Sequence, residues 1–352
     1  MKPNISLAIF TLAVAFTMTV NLAHTQVFKN IELDATNFTP IDKELSLSFP
    51  RDHGSHDQFQ LEWWYLTANL IDETGATRGL QWTLFRFALE NDKNKPNWNN
   101  SHIWMGHAAV TARETHFFHE KFARGGVQQA GVSLNPFNAW IDNWRLKGDT
   151  WEKLNVSADS DEFKYDINIE SFGPIIKHGD SGFSVKSSDG HASAYYSQPF
   201  FSASGWIETN GQRKKVTGTA WFDHEWSNQF LSKKLKGWHW FSLNFKSGDK
   251  LMLFRVEEEK ERYYYSGTWI YADGRHIKIN PEDISLQNKQ APSSAKVPKT
   301  DWRIKIDSFG VDLTIKPLNK NSFMNTLFPY WEGPIKSSGS HKGTGYLEIT
   351  GF

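Results

Sequence analysis

The 352-residue chain carries 39 Lys and Arg against 39 Asp and Glu, so no net charge recruits nucleic acid or an anionic membrane. Cysteine is absent, which excludes disulfides, thiolate catalysis, Fe–S clusters and cysteine-based zinc sites. Aromatic residues make up 15%, including 16 Trp. Such rings cover concave apolar surfaces while keeping polar edges, which favours a hydrophobic or ring-stacking ligand over a phosphate.

Residues 1–25 have the pattern of a secretory signal peptide. Lys2 supplies a positive charge, residues 5–20 are apolar and uncharged, and residues 23–25 offer a small-x-small cleavage site. The alternative is an uncleaved anchor, because the apolar stretch is near the lower length for a membrane span. No other segment is apolar enough to cross a bilayer. We expect an exported mature chain, periplasmic or secreted from a bacterium, and the lack of Cys fits a periplasm.

The remaining sequence predicts strands almost throughout and little helix. Aromatic and β-branched runs are separated by turn residues, and long helical periodicity is hard to find. An all-β fold of barrels or sandwiches follows. The predicted strands are Leu61–Leu70, Gly79–Leu89, Ile103–Thr111, Ala194–Ser197, Gly218–Trp226, Trp238–Phe245, Lys250–Val256, Tyr263–Tyr271, Trp302–Ile306, Val311–Ile315 and Tyr346–Thr350.

A degenerate internal repeat predicts two similar β-units. Each unit opens with a pair of strands that starts on aromatic residues and ends on Leu-Phe-Arg, at residues 84–86 and 253–255. The closing strands also correspond, with Gly-Thr-Ala-Trp-Phe-Asp at 218–223 against Gly-Thr-Gly-Tyr-Leu-Glu at 343–348. We therefore expect, after the signal peptide, an N-terminal unit over 26–230 and a C-terminal unit over 231–352.

Residues 221–226, Trp-Phe-Asp-His-Glu-Trp, form the densest polar and aromatic run. On a strand, Trp221, Asp223 and Glu225 share one face, and His224 lies on the other with Trp226. A carboxyl group desolvated by rings and next to a like charge has a raised pKa, so Asp223 could protonate a carbon–carbon double bond. The alternative is a structural junction. We expect Asp223 to face the cavity and His224 to pack towards the junction between the units.

Glu62 and Arg86 are a second candidate pair. In a hairpin that turns near Thr74, the two side chains fall nearly opposite each other and could form a buried salt bridge. Alternatively, Glu62 could orient a water molecule or act as a second acid. Strand spacing could gather His107, His224 and His239 with carboxylates, yet the chain has no His-x-x-x-His or His-Glu-x-x-His pattern. We expect no metal and no cofactor. The chain also lacks a Gly-x-Ser-x-Gly elbow and a phosphate-binding glycine loop.

Several blocks resemble the carotenoid 1,2-hydratase / AttH-like family. They run in the family's order over nearly the whole mature chain, at residues 62–67, 84–86, 194–199, 218–226, 237–241, 330–334 and 343–351. The resemblance implies two lipocalin-like antiparallel β-barrels in tandem. For exported members it also implies the provisional label of secreted hydrolase. Some members hydrate a terminal isoprenoid double bond, and others act on bulky polyketide or flavonoid ligands.

Three hypotheses follow. In the first, the chain is a hydro-lyase in which Asp223 donates a proton to an isoprenoid, polyene or lipid-like ligand and His224 or Glu225 positions water. In the second, it is a non-catalytic lipid or pigment carrier with the same cavity, and in the third a hydrolase. The oligomeric state is left open. The predicted ligand-binding residues are Glu62, Trp64, Arg86, His107, Tyr196, Trp221, Trp226, Trp238, His239 and Trp240.

We expect signal peptidase to cleave near Thr25, because the small-x-small pattern ends there. Intact-mass spectrometry of protein from the periplasmic fraction should show a chain that begins at Gln26. A mass that retains residues 1–20 would contradict the prediction.

Overall fold

The computed structural model describes residues 38–91, 97–228, 235–259, 262–289 and 298–351. The predicted signal peptide lies outside these ranges. None of the helices within them is long and apolar enough to span a membrane.

Most of the described residues lie in strands, with short 3-10 helices at Arg51–His53, Asn97–Asn99, Pro281–Asp283 and Asp307–Phe309. The strands are β1 (Leu61–Asp72), β2 (Thr77–Ala88), β3 (His102–Thr111), β4 (His116–Arg124), β5 (Ala130–Leu134), β6 (Phe137–Ile141), β7 (Trp144–Thr150), β8 (Lys153–Asp159), β9 (Phe163–Ser171), β10 (Ile176–Lys177), β11 (Phe183–Val185), β12 (Ala192–Thr209), β13 (Gln212–Ser227), β14 (Leu235–Phe245), β15 (Lys250–Glu258), β16 (Tyr263–Ile270), β17 (His276–Lys278), β18 (Ile284–Asn288), β19 (Trp302–Ile306), β20 (Val311–Pro317), β21 (Phe323–Met324), β22 (Tyr330–Gly339) and β23 (Gly343–Ile349).

The first sheet is antiparallel and has the order β4-β3-β2-β1-β13-β12-β9-β8-β7-β6-β5, and β10 and β11 pair with β12. It curls so that β6 contacts β2, β3 and β4 across the interior. The interior is filled by buried aromatic and aliphatic side chains, among them Trp64, Trp82 and Trp144. A twisted sheet that curls in this way brings one of its edges close to the other and forms a near-barrel.

The second sheet has the order β17-β16-β15-β14-β23-β22-β20-β19-β18, with β21 on β22. Its interior contains Phe241, Leu243, Trp269 and Trp331. The chain passes from the first sheet to the second between β13 and β14. The all-β class and the two antiparallel near-barrels are as predicted, while the division into domains at residue 230 stays a prediction.

The two near-barrels pack through the outer faces of their central strands. Tyr65 and Trp221 of the first sheet meet Trp240 and Tyr346 of the second in one buried cluster. The rings of Tyr65 and Trp240 lie edge to face, with centroids 5.2 Å apart. At Gly79 the sheets come so close that a Cβ there would lie 2.5 Å from the Tyr346 hydroxyl oxygen. A residue with a side chain would push the sheets apart at this point.

Both predicted opening hairpins are present, as β1–β2 and β14–β15. The closing strand of each unit, β13 or β23, pairs with the first strand of its own sheet. Asp223 is opposite Tyr65 in the first sheet, and Glu348 is opposite Trp240 in the second. The repeat therefore places one acidic residue of each unit at corresponding positions.

Candidate functional site

The predicted site residues divide into groups because successive side chains of a strand point to opposite faces. Trp221, Trp238 and Trp240 belong to the junction between the sheets. Asp223 also lies there, bonded to Trp221. The interior of the first near-barrel contains Trp64, Tyr196 and Trp226, together with Glu62, Arg86 and His224.

The prediction that His224 packs towards the junction is wrong. Its ring lies inside the first near-barrel, 4.6 Å from that of Trp64, and its Nε2 is 2.9 Å from Glu62 Oε1. Asp223 takes the junction side instead. The alternation of the two residues was predicted correctly, but the faces were exchanged because both faces of β13 are buried.

Glu62 is the centre of what we call the inner network, formed by His56, Glu62, Arg86, Tyr196 and His224. Its Oε2 accepts hydrogen bonds from Arg86 Nε at 3.0 Å and the His56 backbone N–H at 2.9 Å. Its Oε1 lies 2.7 Å from His56 Nδ1. Burial opposes ionisation, but the charges of Arg86 and His56 hold the pKa of Glu62 well below its usual range. Glu62 is therefore ionised, and it joins the side chains of the inner network through its hydrogen bonds.

The inner network attaches the segment before β1 to the first near-barrel. Arg86 Nη2 donates to the carbonyl oxygens of His56 and Phe59, at 2.8 and 3.0 Å. The His56 ring stacks on Trp226 with centroids 3.7 Å apart. These contacts hold residues 53–60 against the interior side chains. The predicted Glu62–Arg86 bridge is confirmed, and both side chains are fully buried.

His56, Glu62 and His224 could in principle hold a metal, since one ligand atom from each lies within 4.8 Å of the others. Two histidines and a carboxylate are a common donor set for transition metals. Here the carboxylate already forms a buried bridge with Arg86 and contacts both imidazoles. We therefore interpret the three residues as part of a structural network.

Asp223 is the centre of the junction site, formed by His178, Tyr195, Ser197, Trp221, Asp223 and Trp240. Its Oδ1 accepts from the Trp221 indole N–H at 2.7 Å and from the Ser197 hydroxyl, and its Oδ2 accepts from the Tyr195 hydroxyl at 3.0 Å. Trp240 Nε1 donates to the same Tyr195 oxygen at 3.2 Å. Burial raises the pKa of Asp223 to about 7 with help from the Glu225 charge, although these hydrogen bonds oppose the shift.

The arrangement of Ser197 and His178 at this site differs from that of a standard serine-hydrolase triad. The Ser197 hydroxyl oxygen lies 2.6 Å from His178 Nε2, and His178 Nδ1 lies 2.8 Å from the Thr268 hydroxyl. In a triad the imidazole lies between the serine and the acid. Here the serine lies between the imidazole and Asp223. Burial and the Lys186 charge keep the pKa of His178 well below its usual value.

Glu225 shares the Asp223 face of β13 and forms a buried salt bridge. Lys186 Nζ lies 3.0 Å from Glu225 Oε1 and 4.2 Å from the ring centroid of Tyr195. This buried ion pair adds a cation beside the junction site.

Sequence reasoning missed Tyr195, Ser197, His178 and Lys186. Tyr195 and Ser197 lie within a predicted strand, but Tyr196 was chosen, and its ring points into the first near-barrel. Because residue 197 pairs directly with 223, the register of β12 on β13 would have indicated Ser197. His178 and Lys186 lie on the irregular stretch around β10 and β11, which has no strand pattern to follow.

The second sheet contributes two carboxyl groups that were not predicted. Glu332 and Glu348 are directly opposite each other on β22 and β23. Glu332 accepts a hydrogen bond from the Tyr65 hydroxyl, and Glu348 accepts one from the Trp238 indole. Burial and the charge of Glu348 raise the pKa of Glu332 well above its usual value. Burial and the charges of Asp223 and Glu225 raise the pKa of Glu348 to about 7.

The other predicted histidines have separate partners. His107 Nδ1 lies 2.9 Å from the Tyr330 hydroxyl, and its Nε2 lies 3.0 Å from Glu120. His239 faces the second near-barrel, where its ring packs edge to face on Trp302. The possibility that these two gather with His224 around carboxylates is therefore not realised.

Two surface depressions in the described part of the chain lie away from these residues. One of about 960 Å³ is lined by polar and apolar residues of β5–β9 and β12, and one of about 600 Å³ is lined by Pro174 and residues from 271 to 277. Neither contains a predicted site residue. At the junction, the rings of Trp63, Trp238 and Tyr264 are only partly buried. These rings mark the edge where a ligand could reach the junction site.

The fold and site define a class of all-β protein: two antiparallel near-barrels in tandem, with hydrogen-bonded carboxyl groups buried between them. The sequence profile of the AttH-like family matches residues 40–352, and the chain belongs to this family. No curated protein matches it.

Two crystal structures show how far the similarity extends. A putative AttH (NE1406) from Nitrosomonas europaea is 28% identical, with a TM-score of 0.80 over 90% of this chain and 99% of that one. Kievitone hydratase from Nectria haematococca is 16% identical, with a TM-score of 0.66 over 89% and 98% of the two chains. The second similarity is evidence for the fold alone.

Replacing Arg86 by Ala should lower the free energy of unfolding by about 3–5 kcal/mol, because Glu62 is left charged, buried and without its arginine. The double variant Glu62→Gln/Arg86→Met should recover much of this loss. Urea denaturation of the three proteins measures both effects. An Arg86→Ala variant as stable as the parent would contradict the buried bridge.

The raised pKa of Asp223 predicts that stability falls as pH rises. The folded state holds this proton up to about pH 7, whereas the unfolded chain releases it near pH 4. The contribution of Asp223 to the free energy of unfolding is therefore fully present below about pH 4. Between these two pH values it should be lost at about 1.4 kcal/mol per pH unit. Denaturation at pH 5 and pH 8 should show a smaller pH effect in Asp223→Asn.

The control for this comparison is Asp312→Asn. Asp312 is on the surface, paired with Arg303, and its pKa is lowered mainly by hydrogen bonding to that arginine. Its replacement should leave the difference between pH 5 and pH 8 unchanged. An Asp223→Asn variant with the parent's pH dependence would show that Asp223 is ionised throughout.

Proposed function

We propose that this protein hydrates a carbon–carbon double bond of an apolar isoprenoid- or polyene-like molecule, with Asp223 as the proton donor. The observation that carries the proposal is the buried Asp223 carboxyl group, whose pKa is raised to about 7 among aromatic rings. A carboxylic acid that stays protonated near neutral pH is a suitable general acid. That kievitone hydratase has the same fold is compatible with this chemistry.

The residues around Asp223 suit the successive steps of hydration. Asp223 Oδ2 transfers its proton to one alkene carbon, and the positive charge that develops on the other is stabilised by the faces of Trp221 and Trp240. Water attacks that carbon and releases a proton. The Tyr195 hydroxyl, held by Trp240, fixes the orientation of the carboxyl group. Glu225 stays on this face in its ion pair with Lys186, while His224 belongs to the inner network.

The ligand enters, in this proposal, past the partly buried rings of Trp63, Trp238 and Tyr264. These rings give the entrance an apolar lining, which suits an isoprenoid or polyene more than a charged metabolite. The zero net charge of the chain gives no attraction for nucleic acid. We also propose that the protein works after export, on the basis of the signal-peptide pattern in residues 1–25.

Asp223→Asn should keep the fold and ligand binding but lower kcat about 100-fold or more, because the amide cannot donate an acidic proton. Small molecules co-purified with the parent are first identified by mass spectrometry. Squalene, an isoprenoid with terminal double bonds, is then incubated with each protein in H2¹⁸O, and alcohol carrying ¹⁸O is measured.

Asp166→Asn is the matched control, since Asp166 bonds Asn155 on the first sheet away from the junction. It should retain full turnover. Binding of squalene or of the co-purified molecules without ¹⁸O incorporation by the parent would reject catalysis and favour a lipid or pigment carrier. Hydration that survives in Asp223→Asn would reject the assigned donor.

A further inference from the structure

We propose that Glu332 and Glu348 form a proton-sharing carboxyl pair that completes the junction site from the second sheet and acts as the base for the attacking water. The inference rests on the proposed hydration, because a base is needed only if water is activated there. It deepens that function by naming residues of the second sheet that take part.

The geometry of the pair favours a shared proton. Glu332 and Glu348 are directly opposite each other on adjacent antiparallel strands, where Cβ atoms lie about 5 Å apart. Glu332 is only 2% exposed. Two carboxylates in such a place cannot both ionise without strong repulsion, so one proton is retained by the pair over a wide pH range. The pair then holds an acid and a carboxylate together, and the carboxylate can accept a proton.

The pair is connected to the Asp223 side of the junction. Tyr65 donates its hydroxyl hydrogen to Glu332, and Tyr65 is also the cross-strand neighbour of Asp223. The ring of Trp240 packs against Tyr65, while its indole N–H binds the tyrosine that contacts Asp223. Tyr65 and Trp240 thus lie between the two acidic groups. An apolar ligand lying against the edges of these two packed rings would be near both Asp223 and the pair.

The internal repeat gives an independent reason for a common role. Asp223 and Glu348 occupy corresponding positions on the closing strands β13 and β23. Each has an aromatic residue two positions earlier on the same face, Trp221 or Tyr346, and both rings are in the junction. The two units therefore bring equivalent acids to a single interface.

The Tyr346 hydroxyl is a buried polar group that indicates a bound molecule at the junction. It is 1% exposed, and its hydroxyl has no hydrogen-bond partner among the described residues. The Glu332 charge contributes to raising the pKa of Tyr346, so the two groups are electrostatic neighbours. A buried hydroxyl without a partner is costly. A water molecule at this closest approach of the two sheets would satisfy it.

The proton and electron balance is complete. Asp223 gives its proton to one alkene carbon, and the π electrons form the new C–H bond. The water oxygen then forms a C–O bond with the other carbon, and one water proton goes to the carboxylate of the pair. The product is an alcohol, Asp223 is left ionised and the pair has gained a proton. Proton transfer from the pair to Asp223 through solvent restores the starting state.

Other titratable groups also face the site, and the pH dependence has to be interpreted with them. The groups around the pair and their strands are Tyr65 on β1, His107 on β3, Glu120 on β4, Asp223 and Glu225 on β13, and Tyr330 and Tyr346 on β22 and β23. Lys186 balances Glu225. Assignment of a pH effect therefore requires variants of the pair itself.

The sharing of a proton is tested without any substrate. The parent, Glu332→Gln and Glu348→Gln proteins are labelled with ¹³C at the glutamate carboxyl carbon and titrated by NMR. We expect the Glu332 resonance of Glu348→Gln to titrate at least one pH unit lower than in the parent, because the neighbouring Glu348 charge is gone. An unchanged Glu332 titration would overturn the pairing.

The role as base is tested by kinetics with squalene in H2¹⁸O. We expect Glu348→Gln to lower kcat about 100-fold at unchanged KM and to remove the acid limb of the pH–rate profile, and Glu348→Asp to recover part of the rate. The control is Glu170→Gln, because Glu170 is exposed and paired with Lys153. This variant should behave as the parent. Full kcat with the acid limb intact in Glu348→Gln would overturn the role.

The experiments distinguish failure of the proposed hydration from failure of the base role of the pair. If the parent makes no ¹⁸O-labelled alcohol, the proposed function fails and the base role fails with it, while the NMR titration still decides whether the pair shares a proton. If the parent hydrates squalene and Glu348→Gln does so equally well, only the further inference fails. Near-ultraviolet circular dichroism checks each variant's fold, and Glu348→Asp replaces Glu348→Gln if the latter is unfolded.

Discussion

Burial of both faces of the central strands is the constraint on which the rest of the structure depends. In an isolated barrel one face of each strand meets water, and polar residues can remain solvated there. Here β1, β13 and β23 have one face in a near-barrel interior and the other against the neighbouring sheet. A polar side chain on these strands is therefore costly to bury unless it finds a partner within the protein, which the Tyr346 hydroxyl does not do among the described residues.

The two polar groups of the first sheet meet this requirement in different ways. The inner network compensates Glu62 with Arg86, and the carboxylate is held ionised. At the junction, neutral hydroxyl and indole donors surround Asp223, and burial raises its pKa to about 7 although these donors oppose the shift. The pKa values of the two acids thus shift in opposite directions, because Glu62 is bonded directly to a cation whereas the direct partners of Asp223 are neutral.

Most of the fold could be predicted from local sequence patterns. The strongly apolar strands and the Glu62–Arg86 register follow from alternation and from the turn after Asp72. Strands β4 to β9 were not predicted, because they alternate polar and apolar residues, as in Phe163–Ser171, and lack long aromatic runs. A period of two residues would have revealed them.

The site was less predictable because it depends on contacts between distant segments. Alternation shows that Asp223 and His224 face opposite ways, but when both faces are buried no polar pattern shows which face meets the other sheet. His178 and Glu332 reach the junction from segments far from β13 in sequence. Only the packing of one sheet on the other brings them close.

The alternation along β1 and β13 has a consequence for how this architecture can diversify. Even-numbered positions, such as 62 and 64 on one strand and 224 and 226 on the other, maintain the interior of the first near-barrel. Odd-numbered positions, such as 65, 221 and 223, form the junction. Substitutions at the odd positions can therefore alter the chemistry between the sheets while the side chains that secure the barrel stay in place. The chemistry between the sheets and the packing of the barrel interior are thereby assigned to two interleaved sets of residues on the same strands.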